Sequence, residues 1–249
     1  MSKKARRIVI IIASILLIAG LVLVLYQPVS VELGKAEAQN IIEEFDKTVE
    51  RSKKHTKAKT SSAQAQSQGS EMNVDVEALK AACIKYNKSL IDNQGTVNTS
   101  DYTKAALRLG DYGVTNNVFG YITAQSIGMK LPIYLGANNS MMSIGAAHMC
   151  NTSLPVNMSD TNCSIAGHTG YRGRVFFDNL RQLSVGDEVK IKTYWQTIKY
   201  NVIDTKIVTD KQSQDFYIQK GRKLLTLMTC VSNSKGGFDR FLVICEKKN

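Results

Sequence analysis

Proline and tryptophan are nearly missing from this chain, with 3 Pro and 1 Trp in 249 residues. That scarcity excludes collagen-like and proline-rich low-complexity chains. No two of the five cysteines form a Cys-x-x-Cys pair, which removes zinc-knuckle and thioredoxin-like redox sites. EF-hand spacing is absent too. The aspartates Asp160, Asp204, Asp210 and Asp215 are scattered, so neither a metal nor another cofactor is expected. No internal repeat is present, and zinc-finger, RRM and helix-turn-helix signatures are missing.

The net charge is +11 and the pI about 9.4, a balance that suits nucleic acid, anionic lipid or an anionic cell wall. The position of the charge decides. Lys3, Lys4, Arg6 and Arg7 precede an apolar run, and Arg51, Lys53, Lys54, Lys57 and Lys59 lie in a stalk-like stretch. Neither group is interleaved with the aromatic residues of a single-strand platform. The basic character is therefore assigned to membrane and cell wall, and no nucleic-acid partner is expected.

Ile8 to Tyr26 is apolar throughout and matches the roughly 20 residues that cross a bilayer as a helix. Basic residues come before it and glutamates after it, which places the N-terminus in the cytoplasm and the rest outside. A cleaved signal peptide is the alternative. Its small-x-small site would be Ala36-Glu37-Ala38, far past the end of a run already longer than an ordinary h-region. An uncleaved anchor is the preferred reading.

Beyond the anchor, Val31 to His55 carries Ile41, Ile42, Phe45 and Val49 among charges and reads as a helical spacer. Residues 57–70 have no apolar side chain larger than Ala and read as a flexible linker. Val74 to Asp92 shows helical spacing of Val76, Leu79, Cys83, Tyr86 and Leu90, an amphipathic helix that packs on the following domain. A short helix is expected over Tyr102 to Leu109.

After Val114 the texture becomes β. Expected strands are Val118 to Ile122, Lys130 to Tyr134, Asn162 to Gly167, Glu188 to Thr193, Gln196 to Val208, Lys223 to Cys230 and Phe238 to Glu246. Helices are expected near Ser143 to Met149 and Val175 to Leu180. Such a series implies one mainly β domain with short helices, a single antiparallel or mixed barrel. The organisation is then a basic tail (1–7), a membrane anchor (8–26), stalk and linker (27–73), a helical appendage (74–113) and the catalytic barrel (114–249).

An odd cysteine count outside the cell leaves at least one thiol unpaired, and Cys230 is the candidate reactive one. Cys83, Cys150, Cys163 and Cys245 read as small buried residues, with a Cys150 to Cys163 disulfide as the alternative for that pair. Cys230 ends a strand, where side chains face clefts. A thiolate attacks better than a thiol and is favoured beside a cation. Arg240 opens the next strand. Alternation puts Thr226, Met228 and Cys230 on one face and Arg240, Leu242 and Ile244 on one face, so coinciding faces would aim thiol and guanidinium into one groove. His168, between Gly167 and Gly170 at the mouth of a strand, suits acid/base work. His55 lies among lysines in the stalk, and His148 reads as structural.

Leu224-Leu225-Thr226-Leu227-Met228-Thr229-Cys230 resembles the T-L-x-T-C signature of the sortase family. Ser164-Ile165-Ala166-Gly167-His168-Thr169 resembles its histidine segment, and Arg240 falls where its arginine falls. The resemblance extends from about Val118 onward. It implies an eight-stranded sortase barrel and a cysteine transpeptidase acting on an LPxTG-like C-terminal sorting motif of surface proteins or pilins. The acceptor would be an amine of a cell-wall precursor or a pilin lysine. Cys230 would be the nucleophile, His168 the proton-transfer partner and Arg240 the charge stabiliser, with Thr229 and Thr169 binding substrate. Features of classes A and C occur together; the Asp-Pro-aromatic lid tripeptide of class C is absent, and Asp101-Tyr102 does not count as one. Alternatives are a catalytically dead sortase-like scaffold and another envelope cysteine peptidase. The L,D-transpeptidase SHGC block is missing, and the order His before Cys disfavours a papain-like enzyme.

Overall fold

The computed structural model of the chain describes residues 2–61, 73–93, 99–209 and 212–247. Alternating strands close into one barrel of eight: β1 (Val118–Ala124), β2 (Met129–Leu135), β3 (Ala146–His148), β4 (Thr161–Ala166), β5 (Glu188–Thr193), β6 (Thr197–Val208), β7 (Lys223–Ser232) and β8 (Phe238–Glu246). Their order around the barrel is β1-β2-β3-β4-β7-β8-β6-β5, and β1 pairs with β5 to close it. Closure leaves no unpaired sheet edge. The pairs β2·β3 and β4·β7 are parallel, and the others are antiparallel.

One side-chain row of each strand fills the barrel, with Ile122, Ile133, Ile165, Ile191, Leu225, Leu227 and Val243 at its centre. β4 is buried along its whole length. Cys163 and Ile165 face the barrel core, while Ala166 faces a second apolar cluster on the outside with Met149, Val208, Phe216 and Leu242. Asn162 ties that outer side down: its amide donates to Asp215 O and Tyr217 O, and its carbonyl accepts from the Thr226 hydroxyl. A turn is thus fastened across the outer faces of β4 and β7.

The N-terminal half departs from the spacer-and-linker expectation. A single helix, α1 (Lys3–Ser61), runs through the apolar segment, through Pro28 and on past residue 57. Residues 62–70 of the expected linker lie outside the described residues. The apolar run is wholly exposed, and this helix is long and apolar enough to cross a membrane. Farther on, α1 is no spacer. Ile42, Phe45 and Val49 are 1%, 0% and 1% exposed, because the ring of Phe45 packs on Tyr194 and Tyr121 at 4.6 and 5.8 Å. Asp46 meets Lys192 at 2.7 Å. The helical spacing was visible in the sequence, but the surface that receives it comes from distant strands.

α2 (Val76–Asn93) packs as expected, with Leu79 and Cys83 buried in the same cluster as Phe45 and Tyr194. Asp75 caps it, accepting from Ala78 N. Three expected helices differ. Residues 104–108 are not helical, and the ends of the expected segment belong to separate 3-10 helices, Thr99–Thr103 and Leu109–Tyr112. The Tyr102 carbonyl is spent on Ala137 N and Cys150 N, so it is not free for a helical bond. In place of a helix over 143–149 there is α3 (Asn139–Met142), then strand β3. Pairing with β2 and β4 overrides the helix propensity of Ala146 and Ala147. At Gly145 a Cβ would lie 2.7 Å from Pro132 O, which holds the entry to that strand to glycine. Residues 175–180 form turns, ending in a 3-10 helix at Leu180–Gln182. The Asp178 carboxylate accepts from Gly170 N and Phe176 N and so organises a loop instead.

Candidate active site

Strand register assembles the site. In the β7–β8 hairpin the directly opposed pairs are Thr226 with Ile244, Met228 with Leu242 and Cys230 with Arg240. The two faces coincide, which is the condition for a shared groove. Leu225 and Leu227 point into the barrel, so Cys230 and Arg240 stand on its outer side. Arg240 Nη1 donates to Cys230 Sγ at 3.4 Å. Cys230 is partly exposed, and the other four cysteines are buried. Burial raises the thiols of Cys83, to about 12, and of Cys163 and Cys245 further still. Cys150 and Cys163 are both free thiols, not a disulfide.

His168 arrives from β4. The parallel ladder pairs Ala166 with Met228 and continues through Gly167 N to Met228 O at 3.1 Å. The same offset brings His168 level with Cys230, and the same alternation puts both on the outer side. The imidazole is half-buried, and desolvation lowers its pKa below 6.5, favouring the neutral ring. It stacks on Tyr171 at 5.2 Å and 13°. Among the described residues no hydrogen bond joins His168 to Cys230; the thiol's partner is Arg240.

A tight loop carries the histidine. A Cβ at Gly167 would lie 2.6 Å from the Phe177 ring, so a larger residue displaces that ring. Phe177 N donates to His168 O at 2.9 Å. Thr229, 2% exposed, donates to Gly167 O at 2.7 Å. The Thr169 hydroxyl lies 2.6 Å from that of Thr229 and reaches Phe177 O at 3.3 Å. The hydroxyls expected to meet substrate are therefore occupied within the protein, where they fasten the histidine loop to the strand of the cysteine.

The floor beside the pair is apolar, made by Met228, Leu242, Ala166 and Phe216, with Tyr102 packed edge-on to Phe216 at 5.9 Å. Tyr102 thus contributes to the outer face that bears Cys230. His148 is remote from this chemistry in character. It is 0% exposed, its Nε2 donates to Thr152 O and Ser153 O, and burial lowers it to about 4. Among the described residues no group of three His, Cys, Asp or Glu side chains could hold a metal. Asp160 caps Gly221 N, Asp215 pairs with Lys206, and Asp210 lies outside the described residues.

Tyr171, Phe177, Asp178 and Arg174 were not singled out in the sequence. Their only signal is closeness to His168 in the chain, since the loop that gives them meaning depends on long-range packing.

A closed barrel sets a partly exposed cysteine against an arginine, level with a histidine, an arrangement in which a thiol can serve as a nucleophile. The family model of the Sortase domain matches residues 122–248. The chain belongs to the sortase family, a family of cysteine transpeptidases. Sortase A of Bacillus anthracis is 27% identical over 121 residues, which are 47% of this chain and 56% of that protein. The match thus spans little more than half of that relative. Among solved structures, sortase C of Clostridium perfringens, determined with the C-terminal cell wall sorting motif, has a TM-score of 0.63 at 25% identity, covering 85% of this chain and 100% of that one. Sortase C1 of GBS pilus island 1 shares the fold, with a TM-score of 0.65 at 22% identity over 85% of this chain and 92% of its own.

Proposed function

We propose that the chain is a membrane-anchored transpeptidase that cleaves an LPxTG-like sorting motif and joins the protein to an amine. The observation that carries this reading is the cross-strand Cys230–Arg240 pair, with His168 level with it. Cys230 Sγ attacks the carbonyl after the motif's threonine. The thiol's proton passes to the neutral His168 as the S–C bond forms, and His168 gives that proton to the leaving amine as the C–N bond breaks. The incoming amine then attacks the thioester, its N–C bond forms as S–C breaks, and His168 accepts the proton it loses. Arg240 donates to the carbonyl oxygen as negative charge develops there. Thr229 and Thr169 hold the histidine loop. The apolar floor of Met228, Leu242 and Phe216 receives the motif's apolar side chains.

The anchor supports the same reading. An exposed apolar run preceded by Lys3, Lys4, Arg6 and Arg7 orients the catalytic domain outside the cell, where a membrane-tethered protein substrate and a cell-wall precursor or pilin lysine both lie.

The test is turnover of a panel of quenched LPxTG-like peptides by the full chain in detergent or nanodiscs. Glycine-type and lysine-type amines are added in separate arms. Cleavage that each of Cys230→Ala, His168→Ala and Arg240→Ala abolishes, with an aminolysis product, supports the transpeptidase, and the preferred amine separates cell-wall attachment from pilin joining. No turnover on any motif favours a scaffold.

A further inference from the structure

The loop that carries His168 is held from a second direction, by the segment of α1 that leaves the apolar run. Arg174 Nη2 pairs with Glu37 at 2.6 Å, and its Nη1 donates to Gly34 O at 3.4 Å. The approach is close at two glycines. A Cβ at Gly34 would lie 2.8 Å from Arg174 Cδ, and a Cβ at Gly173 would lie 3.1 Å from Ser30. Gly173 also has φ +73, a conformation that disfavours any side chain. Ser30, Gly34 and Glu37 follow at i, i+4 and i+7, one face of the helix.

That contact reaches the histidine in two steps. Arg174 N bonds to Tyr171 O, closing a turn at 3.1 Å. Tyr171 in turn stacks on His168 and leans on Phe176 at 5.7 Å. Beside the contact the helix stands away from the barrel, leaving a cavity of about 410 Å³ lined by Lys35, Gln39, Met129, Leu131 and Phe176. The helix therefore grips the loop by a few contacts and not through a continuous core.

We propose that Glu37 and Gly34, on the membrane-exit part of α1, are positioning residues that act through Arg174 and Tyr171 to hold His168 level with Cys230. The chain's own anchor helix is thereby part of what sets its catalytic geometry. This inference rests on His168 being the proton-transfer group. The clasp begins four residues beyond Tyr26, roughly 6 Å along the helix, so the seating of the anchor in the bilayer is felt at the loop.

The test uses the full chain in nanodiscs, with Glu37→Arg, Arg174→Glu and the double charge swap. Peptide kinetics are read beside the titration of His168 followed by NMR of labelled histidine. The expected result is a kcat lower by about 10-fold or more in each single variant, as small misplacements of catalytic groups produce. KM and melting temperature stay near wild type. The His168 titration midpoint rises toward the ordinary histidine value as the Tyr171 stack loosens, and the double swap restores both readings. Single variants with wild-type kcat and an unmoved His168 midpoint overturn the inference. A loss that the double swap does not recover overturns it as well. Should the wild-type chain cleave no peptide, the functional reading fails by itself, and the His168 midpoint across the variants still decides whether the clasp exists.

Discussion

Cys230 and Arg240 face each other directly across the β7–β8 hairpin, with the guanidinium 3.4 Å from the sulfur. A cross-strand pair of this kind is fixed by register, so the arginine is held in place before any substrate arrives. Preorganised donors of that sort are worth most where charge develops during reaction.

Arg240→Ala is expected to lower kcat/KM by about 10²-fold or more, with the fold and melting temperature kept. Arg240→Lys should recover little, because an ammonium lacks the forked donors that reach sulfur and substrate together. Steady-state kinetics on a cleavable motif peptide read both.

Thr229→Val keeps shape and removes the proton given to Gly167 O. The buried carbonyl is then unsatisfied, at a cost of about 1–3 kcal/mol, measurable by chemical unfolding. Activity should fall as well, since the histidine loop loses its tie to the cysteine's strand, and Thr229→Ser should retain most of both.

Phe45→Ala tests whether α1 belongs to the domain. The ring is 0% exposed and packed between Tyr194 and Tyr121, so its loss should cost about 3–5 kcal/mol. A fragment beginning at Asn73 lacks Ile42, Phe45 and Val49 together and should melt well below one beginning at Gln27.

Stability should also carry the mark of His148. Burial lowers its folded pKa to about 4 from the ordinary histidine value of 6.5. A depressed histidine is neutral in the fold while the unfolded chain takes up a proton, so its contribution is intact above pH 6.5. It is lost progressively as pH falls toward 4, on the order of 3 kcal/mol in all. His148→Gln should flatten that part of the stability curve in melting experiments at stepped pH.

Much of this was legible in the sequence because period-two alternation is a local signal. Glu188–Thr193 and Phe238–Glu246 were found to the residue, and strand parity assigned Cys230 and Arg240 each to one face of its own strand, while the β7–β8 register makes the two faces coincide. Ala146–His148 was missed because three residues, two of them alanine, carry no β pattern of their own; their neighbours β2 and β4 make the strand. The docking of Ile42, Phe45 and Val49 was half legible: the helical stripe showed, but its receiving surface is built from residues such as Tyr121 and Tyr194, far along the chain. The loop around His168 was not legible, since Asp178 bonding back to Gly170 N and Thr229 to Gly167 O are contacts that no spacing rule announces.

The most direct test of the account is intact-mass analysis of the full chain, quenched during turnover of a motif peptide without added amine. The account predicts an adduct equal in mass to the peptide up to its threonine, mapped by digestion to Cys230, discharged by an added amine and absent in Cys230→Ala. No adduct on any motif tried, or one carried by a different residue, would contradict it.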